Sequence, residues 1–292
     1  MTGTPPCDVT AVEAAAALLT AERPAYASII GFYGAVFVAQ ARMVGTVSPE
    51  TIQLDESLVE TKVNQGFSLI EPAAFTVDTP MAENLLIRIC DIAVHSGEKL
   101  GLAGEALMGS IDGGLDMDGL FADILDNQGR IRELADTLDV PQEVLSLLFY
   151  LAIKPSLEIG ARMLSDHLTD SQKNRSSCPI CGSAPIIGEL DAEGSQWLHC
   201  GLCWHRWPFV RLACPFCTRD KDRPQEYIYT ESEPEYRVNL CSGCRHYLKV
   251  VDTRHLTRTF CPPLEQVASL HLDMLATQKG YSHPLGAGSP MQ

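Results

Sequence analysis

Eight of the eleven cysteines lie between Cys178 and Cys244, arranged as four C-x-x-C pairs: Cys178/Cys181, Cys200/Cys203, Cys214/Cys217 and Cys241/Cys244. A two-residue spacer lets a tight turn aim both sulfurs at one point, and two such turns complete the tetrahedral shell that zinc or iron accepts. The eight cysteines are therefore read as ligands of two metal ions, Fe or Zn, in two four-cysteine sites. Two other uses stay open: a redox or oxygen-sensing metal, and dithiol chemistry, although no strand-helix setting of the thioredoxin kind surrounds any pair. His199, His205 and His246 sit beside cysteines but are left outside the ligand set, because four thiolates already fill each shell. Cys7, Cys90 and Cys261 fall outside the pattern, and Cys90 reads as a small buried hydrophobe.

The cysteines must be brought together by the strands between them. "APIIGEL" and "SQWLHC" flank the turn "DAEG", and "EYIYTES" and "YRVNLC" flank Pro234, which suggests two hairpins. A hairpin brings its ends side by side, so Cys178/Cys181 is expected to join Cys200/Cys203, and Cys214/Cys217 to join Cys241/Cys244. Cross-bracing, first pair with third and second with fourth, is the competing scheme that spacing leaves open. A module of this size has too little apolar area to fold alone, so a structural ion would supply much of its folding free energy, on the order of 10 kcal/mol per site.

Ahead of the cysteines the signals are helical. Ser48-Pro49-Glu50 and Thr79-Pro80 look like N-caps followed by proline, and Leu85, Ile89 and Ile92 share a face that should be core. Further helices follow from Asp118, an expected N-cap, to about His167, with a break at Val140-Pro141 and a kink or split at Pro155. "TDSQKNRSS" is a polar linker. The expected class is α+β: an all-helical domain over 1–170, a first zinc-ribbon-like four-cysteine module over 171–210, and a second over 211–292 ending in a helical tail.

Charge separates the same regions. Residues 1–170 hold 25 acidic against 9 basic side chains, whereas residues 171–292 hold 12 against 13. So acidic a body repels a phosphate backbone, which argues against nucleic acid as a partner. The longest uncharged apolar stretch, Ala27 to Ala41, falls short of the roughly 18 to 20 residues of a membrane-spanning helix, so no membrane insertion is expected. The first residues carry Glu13 and Glu22 where a signal peptide would have neither, which points to the cytoplasm. Asp112, Asp116 and Asp118 lack the glycine and terminal glutamate of a calcium loop. No nucleophile elbow, phosphate loop or H-E-x-x-H stretch supports an enzyme.

The order CPxCG, hairpin, CxxC, "WHRWPFVRLACPFC", "EYRVNLCSGCRHYLKVVDTR" and "SLHLDMLATQKGYSHP" resembles the FdhE family of formate dehydrogenase accessory proteins, with a weaker likeness through "ERPAYASIIGFYGAVFVAQ". The resemblance implies rubredoxin-like modules, a cytoplasmic assembly factor without turnover, and a formate dehydrogenase catalytic subunit as partner. It also favours iron, while zinc suits the same ligands. Aromatics beside cations suggest Trp207, Arg211, Tyr247 and Lys249 as partner-binding residues, Trp207 and Arg211 lying in the connector with Trp204, His205 and Arg206. A rubredoxin-like electron carrier and a zinc-ribbon nucleic-acid binder are the rival readings.

Overall fold

Carboxylates, rather than hydroxyls, start several of the helices. In the computed structural model, which describes residues 8–168, 174–211, 213–217 and 226–285, Asp8 accepts from the Ala11 N–H at 2.7 Å ahead of α1 (Val9–Glu22). Helix α2 (Ala27–Met43) follows. Asp55 caps α3 (Glu56–Gln65) and Asp78 caps α4 (Thr79–Val94). After α5 (Glu98–Asp112), Asp116 caps α6 (Met117–Asp123). An ionised cap satisfies an orphan amide and also complements the positive end of the helix dipole.

These caps move three expected starts. Ser48-Pro49 opens no helix; the Ser48 N–H instead donates to Asp78 Oδ2 at 2.9 Å. Thr79 is the first residue of α4 rather than its cap. Asp118 lies inside α6, because Asp116 takes the capping position and also pairs with Arg130 at 2.7 Å.

Helix α7 (Gly129–Leu138) ends just before Pro141, where α8 (Gln142–Ser165) begins. Pro155 does not split α8. The helix is buried without interruption from Leu148 to Leu157, so packing on every side holds it through the hydrogen bond that proline removes. Leu85 and Ile89 are core as expected, with Ile92 partly buried and Cys90 fully so. The run Pro24–Met43 reaches 20 residues, so it and α8 are long and apolar enough to cross a membrane by length and composition alone. Here α8 is core, and α2 packs on α1, α4, α8 and the C-terminal helix α9 (Pro262–Ala268).

Each expected hairpin gains a third strand, and the two become one sheet. β1 (Pro185–Leu190) and β2 (Gln196–Cys200) pair antiparallel, and β3 (Arg206–Phe209) adds to β2. β4 (Glu226–Thr230), β5 (Glu233–Leu240) and β6 (Tyr247–Asp252) repeat the meander. β1 and β6 then pair in parallel, Gly188 opposite Val250, giving the order β3-β2-β1-β6-β5-β4. Gly188 has a reason to be glycine: an added Cβ would lie 3.1 Å from the Val250 side chain across this seam.

One sheet face, with Ile187, Val238 and Val251, packs with α9, with α10 (Leu270–Gln278) and with Val12, Leu19 and Ile30 of α1 and α2. Leu190, Leu198, Trp207, Leu248 and Val250, on the other face, join the core of the helical domain. At about 2 kcal/mol per fully buried aliphatic side chain, this apolar interleaving ties sheet and helices into one body.

Candidate metal centres

Three of the four pairs, the first, second and fourth, form turns of one kind. In the first, the Gly182 N–H donates to Cys178 O and the Cys178 N–H to Ser183 O, both at 2.9 Å. The second and fourth repeat the closing bond, with the Cys200 N–H donating to His205 O and the Cys241 N–H to His246 O. The residue after the second cysteine has a left-handed backbone in all three: Gly182 at φ 76°, Trp204 at 56° and Arg245 at 62°. Glycine adopts that region freely, so Trp204 and Arg245 hold it against a small strain.

These turns deliver the cysteines in chain order. Cys178, Cys181, Cys200 and Cys203 form one group and Cys214, Cys217, Cys241 and Cys244 the other, the ligand atoms of each lying within 4.8 Å of one another. This is the sequential scheme, not the cross-braced one. In the first group the sulfurs are 3.5 to 3.7 Å apart (181–200, 178–203 and 181–203), and in the second 3.6 Å (214–244 and 217–241). A tetrahedral ion with bonds of about 2.3 Å to sulfur needs edges of about 3.8 Å, so both quartets fit zinc or iron. Backbone amides of Leu202 and Cys203 point at Cys200 Sγ (3.3 and 3.4 Å), and that of Phe216 at Cys214 Sγ (3.4 Å), donors that stabilise thiolate charge.

Their surroundings differ. All four sulfur ligands of the first centre are on residues at most 2% exposed, while those of the second are half-buried. Burial pushes the Cys178 and Cys203 thiols up, whereas hydrogen bonds from the neighbouring cysteines hold Cys181 down. An ion entering this quartet must displace protons, and four thiolates around a divalent ion leave a net charge of about −2 to be balanced inside the protein.

The balancing groups come from the helical domain. Lys154 of α8 is 2% exposed; its ammonium donates to Tyr150 Oη at 2.9 Å and to Leu202 O in the second turn, and stands over the Trp204 ring. Tyr150 Oη in turn donates to Gly201 O and Leu202 O at 3.0 and 2.9 Å. Burial pulls the Lys154 pKa down to about 8, while Glu158 and the cysteines Cys203, Cys200 and Cys181 pull it back up. The first turn is gripped as well, by Leu69 N–H on Pro179 O and Ile70 N–H on Ile180 O, each at 3.0 Å. None of this was foreseen from the sequence, although one signal was present: Lys154 is the lone charge in the apolar run "LSLLFYLAIKPSL".

The structure moves three of the four expected partner-binding side chains indoors. Trp207 is 1% exposed, with its Nε1 bonded to Arg175 O at 2.8 Å. Tyr247 and Lys249 are buried beneath α10, both bonded to Asp273 (2.9 and 2.6 Å). Their aromatic and cationic character is spent on internal contacts, and only Arg211 stays on the surface. His199 and His205 are buried too, His199 against Glu189 at 2.8 Å, and burial lowers His205 to about 4. His246 is half-buried and bonded to Ser282, and Cys7 lies outside the described residues.

Residues 177–211 match the family described as FdhE, central domain. A protein FdhE homolog of Aquifex aeolicus is 33% identical over 108 residues, 36% of this chain and 38% of that one. Another, from Haemophilus ducreyi, is 32% identical over 140 residues, 47% and 45% of the two chains. The matched stretch thus spans less than half the length of these relatives. The crystal structure of the FdhE protein from Pseudomonas aeruginosa aligns over 98% of this chain and 97% of that one, with a TM-score of 0.66 and 19% identity. The arrangement of helices and sheet is therefore shared with it.

Proposed function

We propose that this chain is a member of the FdhE family and an accessory protein of formate dehydrogenase that binds the catalytic subunit in the cytoplasm and assists its assembly without turnover of its own, a reading supported by the match of residues 177–211 to the FdhE central domain and by the FdhE homologs it resembles. The eight cysteines are its metal ligands, and the two ions lock the four turns, stiffening the sheet into a platform. The observation that carries this reading is the pair of complete cysteine quartets in a chain matching the FdhE central domain. The proposed division of labour follows 1–170, 171–210 and 211–292, with the helical part holding the first metal module and Arg211 left available to a partner. Affinity capture of the tagged protein from its own host, grown on formate under respiratory conditions, tests it: the catalytic subunit should co-purify, and its clean absence with both metal sites filled would sink the proposal.

The half-exposed second centre favours one rival, a rubredoxin-like electron carrier, since electron exchange needs a centre near the surface. That version requires bound iron with a reversible couple. A colourless protein holding only zinc eliminates it.

A further inference from the structure

Helices α2 and α8 and the corner between α9 and α10 do not close completely against one another. Between them lies a cavity of about 200 Å³, walled mostly by carbon from these helices and from Ile186 of β1. One side of it is the back of the first metal centre. Trp204, on the wall, follows Cys203 directly, and Tyr150 and Lys154, also on the wall, are the groups that hold the Cys200/Cys203 turn. Tyr33, Phe37 and Trp204 line the cavity and are only half-buried, so these rings face space rather than packed neighbours.

Three polar groups on this wall are not fully used. Gln266 is 9% exposed, yet its Oε1 is buried without a hydrogen-bond partner among the described residues. The Tyr33 hydroxyl has no partner among the described residues either, and burial alone raises its pKa. The Lys154 ammonium spends two of its three protons, on Tyr150 Oη and Leu202 O. An acceptor buried without a donor is a net cost to folding, so stability is no reason for a glutamine at 266.

Size and charge narrow what fits. An apolar cavity of about 150 Å³ takes benzene, so this one has room for a fused pair of rings. Water fills such a space poorly, because about six molecules would each need two to four polar partners and the wall supplies few. Lys154 is the only charged residue lining the cavity, and its charge already offsets part of the surplus of about −2 on the four-thiolate centre. Glu158, one turn further along α8, adds a carboxyl whose pKa is raised by burial. An anionic ligand would enlarge that surplus where water cannot screen it. A neutral one leaves it unchanged.

We propose that this cavity binds a neutral, planar heteroaromatic molecule of two fused rings that carries both a hydrogen-bond donor and an acceptor. The donor meets Gln266 Oε1. The acceptor, a carbonyl oxygen with two lone pairs, takes a proton from Lys154 and one from Tyr33, and the rings lie among Tyr33, Phe37 and Trp204. Apolar walls supply affinity and the unspent polar groups supply selection. The site adjoins the first metal centre without using its ligands, and it is independent of which enzyme the protein serves.

The test uses the full-length, zinc-loaded protein and carbostyril, a neutral two-ring lactam, in isothermal titration calorimetry. One molecule should bind per chain. Quinoline, which lacks the donor, and quinaldate, which is anionic, should each bind more weakly by about tenfold or more. Leu270→Trp fills the cavity from a half-buried position and should abolish binding. Tyr33→Phe and Gln266→Leu should each weaken it by about three- to tenfold. Gln266→Leu, relieved of its unpaired acceptor, should keep or raise the Tm of the free protein, and metal content checks that every variant folds. No binding of carbostyril, equal binding of quinoline or quinaldate, or an affinity unchanged in the variants would each overturn the proposal. Capture of formate dehydrogenase is a separate assay, so either proposal can fail alone.

Discussion

The two metal centres share a turn type in three of their four cysteine pairs and the same sulfur spacing, yet they occupy different physical settings. The first is sealed, its cysteines at most 2% exposed, its first turn held by Leu69 and Ile70 and its second by Tyr150 and Lys154. The second is half-exposed: the Tyr247 N–H and the Arg245 carbonyl pair with Ser282, and Phe216 meets His246 and His283 edge-on. A repeated motif has thus been given two jobs by its neighbours. The first centre is part of the core, whereas the second lies at the ends of β5 and β6, toward the β4 end of the sheet.

Removing ligands should separate the two most strongly. Cys200→Ser/Cys203→Ser forfeits a metal contribution on the order of 10 kcal/mol, comparable to the whole stability of a domain, and should abolish folding of helices and sheet together. Cys241→Ser/Cys244→Ser should cost the same ion but leave α4 to α8 protected in hydrogen exchange, with β4 and β5 exchanging freely. Equal collapse of both variants would break the distinction. A milder comparison uses a chelator on the native protein: release should be biphasic, the second centre faster by about tenfold for every 1.4 kcal/mol by which its local opening is easier. A single phase for both ions would mean they open together.

Lysine replacement sharpens the electrostatic side. Lys154→Met leaves the buried anionic centre without its cation and should destabilise by about 3 kcal/mol, with faster release of the first ion. Lys249→Met strands Asp273, whose side chain is 21% exposed and can hydrate, so a loss of about 1 kcal/mol is expected and release of the second ion should be unchanged. Urea denaturation of both variants measures the difference.

Acid should act on the second module through a buried histidine. His283 is 5% exposed and burial lowers it to about 4. Its folded pKa lies below its unfolded value of about 6.5, so the unfolded state binds the proton first as pH falls. Its share of stability is constant above about pH 6.5 and declines toward pH 4, by up to about 3 kcal/mol. His283→Leu should flatten that part of the profile relative to the parent at each pH, which cancels the contribution of the cysteines. Identical slopes would show that His283 stays neutral for another reason.

Much of the sheet chemistry was legible in the residues, because it is local. A C-x-x-C spacer dictates a turn, alternating residues around "DAEG" dictate a hairpin, and a hairpin favours the sequential pairing that the structure shows over the cross-braced one. Helix starts were read less well, since Asp78 and Asp116 compete with Thr79 and Asp118 for the same amides and only three-dimensional register decides between them. Trp207, Tyr247 and Lys249, expected at a partner surface, lie inside for a related reason. Aromatic and cationic side chains are equally suited to an interface and to the inside of a small sheet, and composition does not say which.

The sequence by itself determined the four C-x-x-C pairs and their capacity for zinc or iron, and favoured joining them in chain order over cross-bracing, because bond lengths and turn geometry act over a few residues. Only the tertiary structure decided that β1 and β6 would join the modules into one sheet and that α8 would bring Lys154 to the first centre. Those outcomes depend on which apolar faces cover one another across more than a hundred residues of chain, and no local spacing encodes that choice.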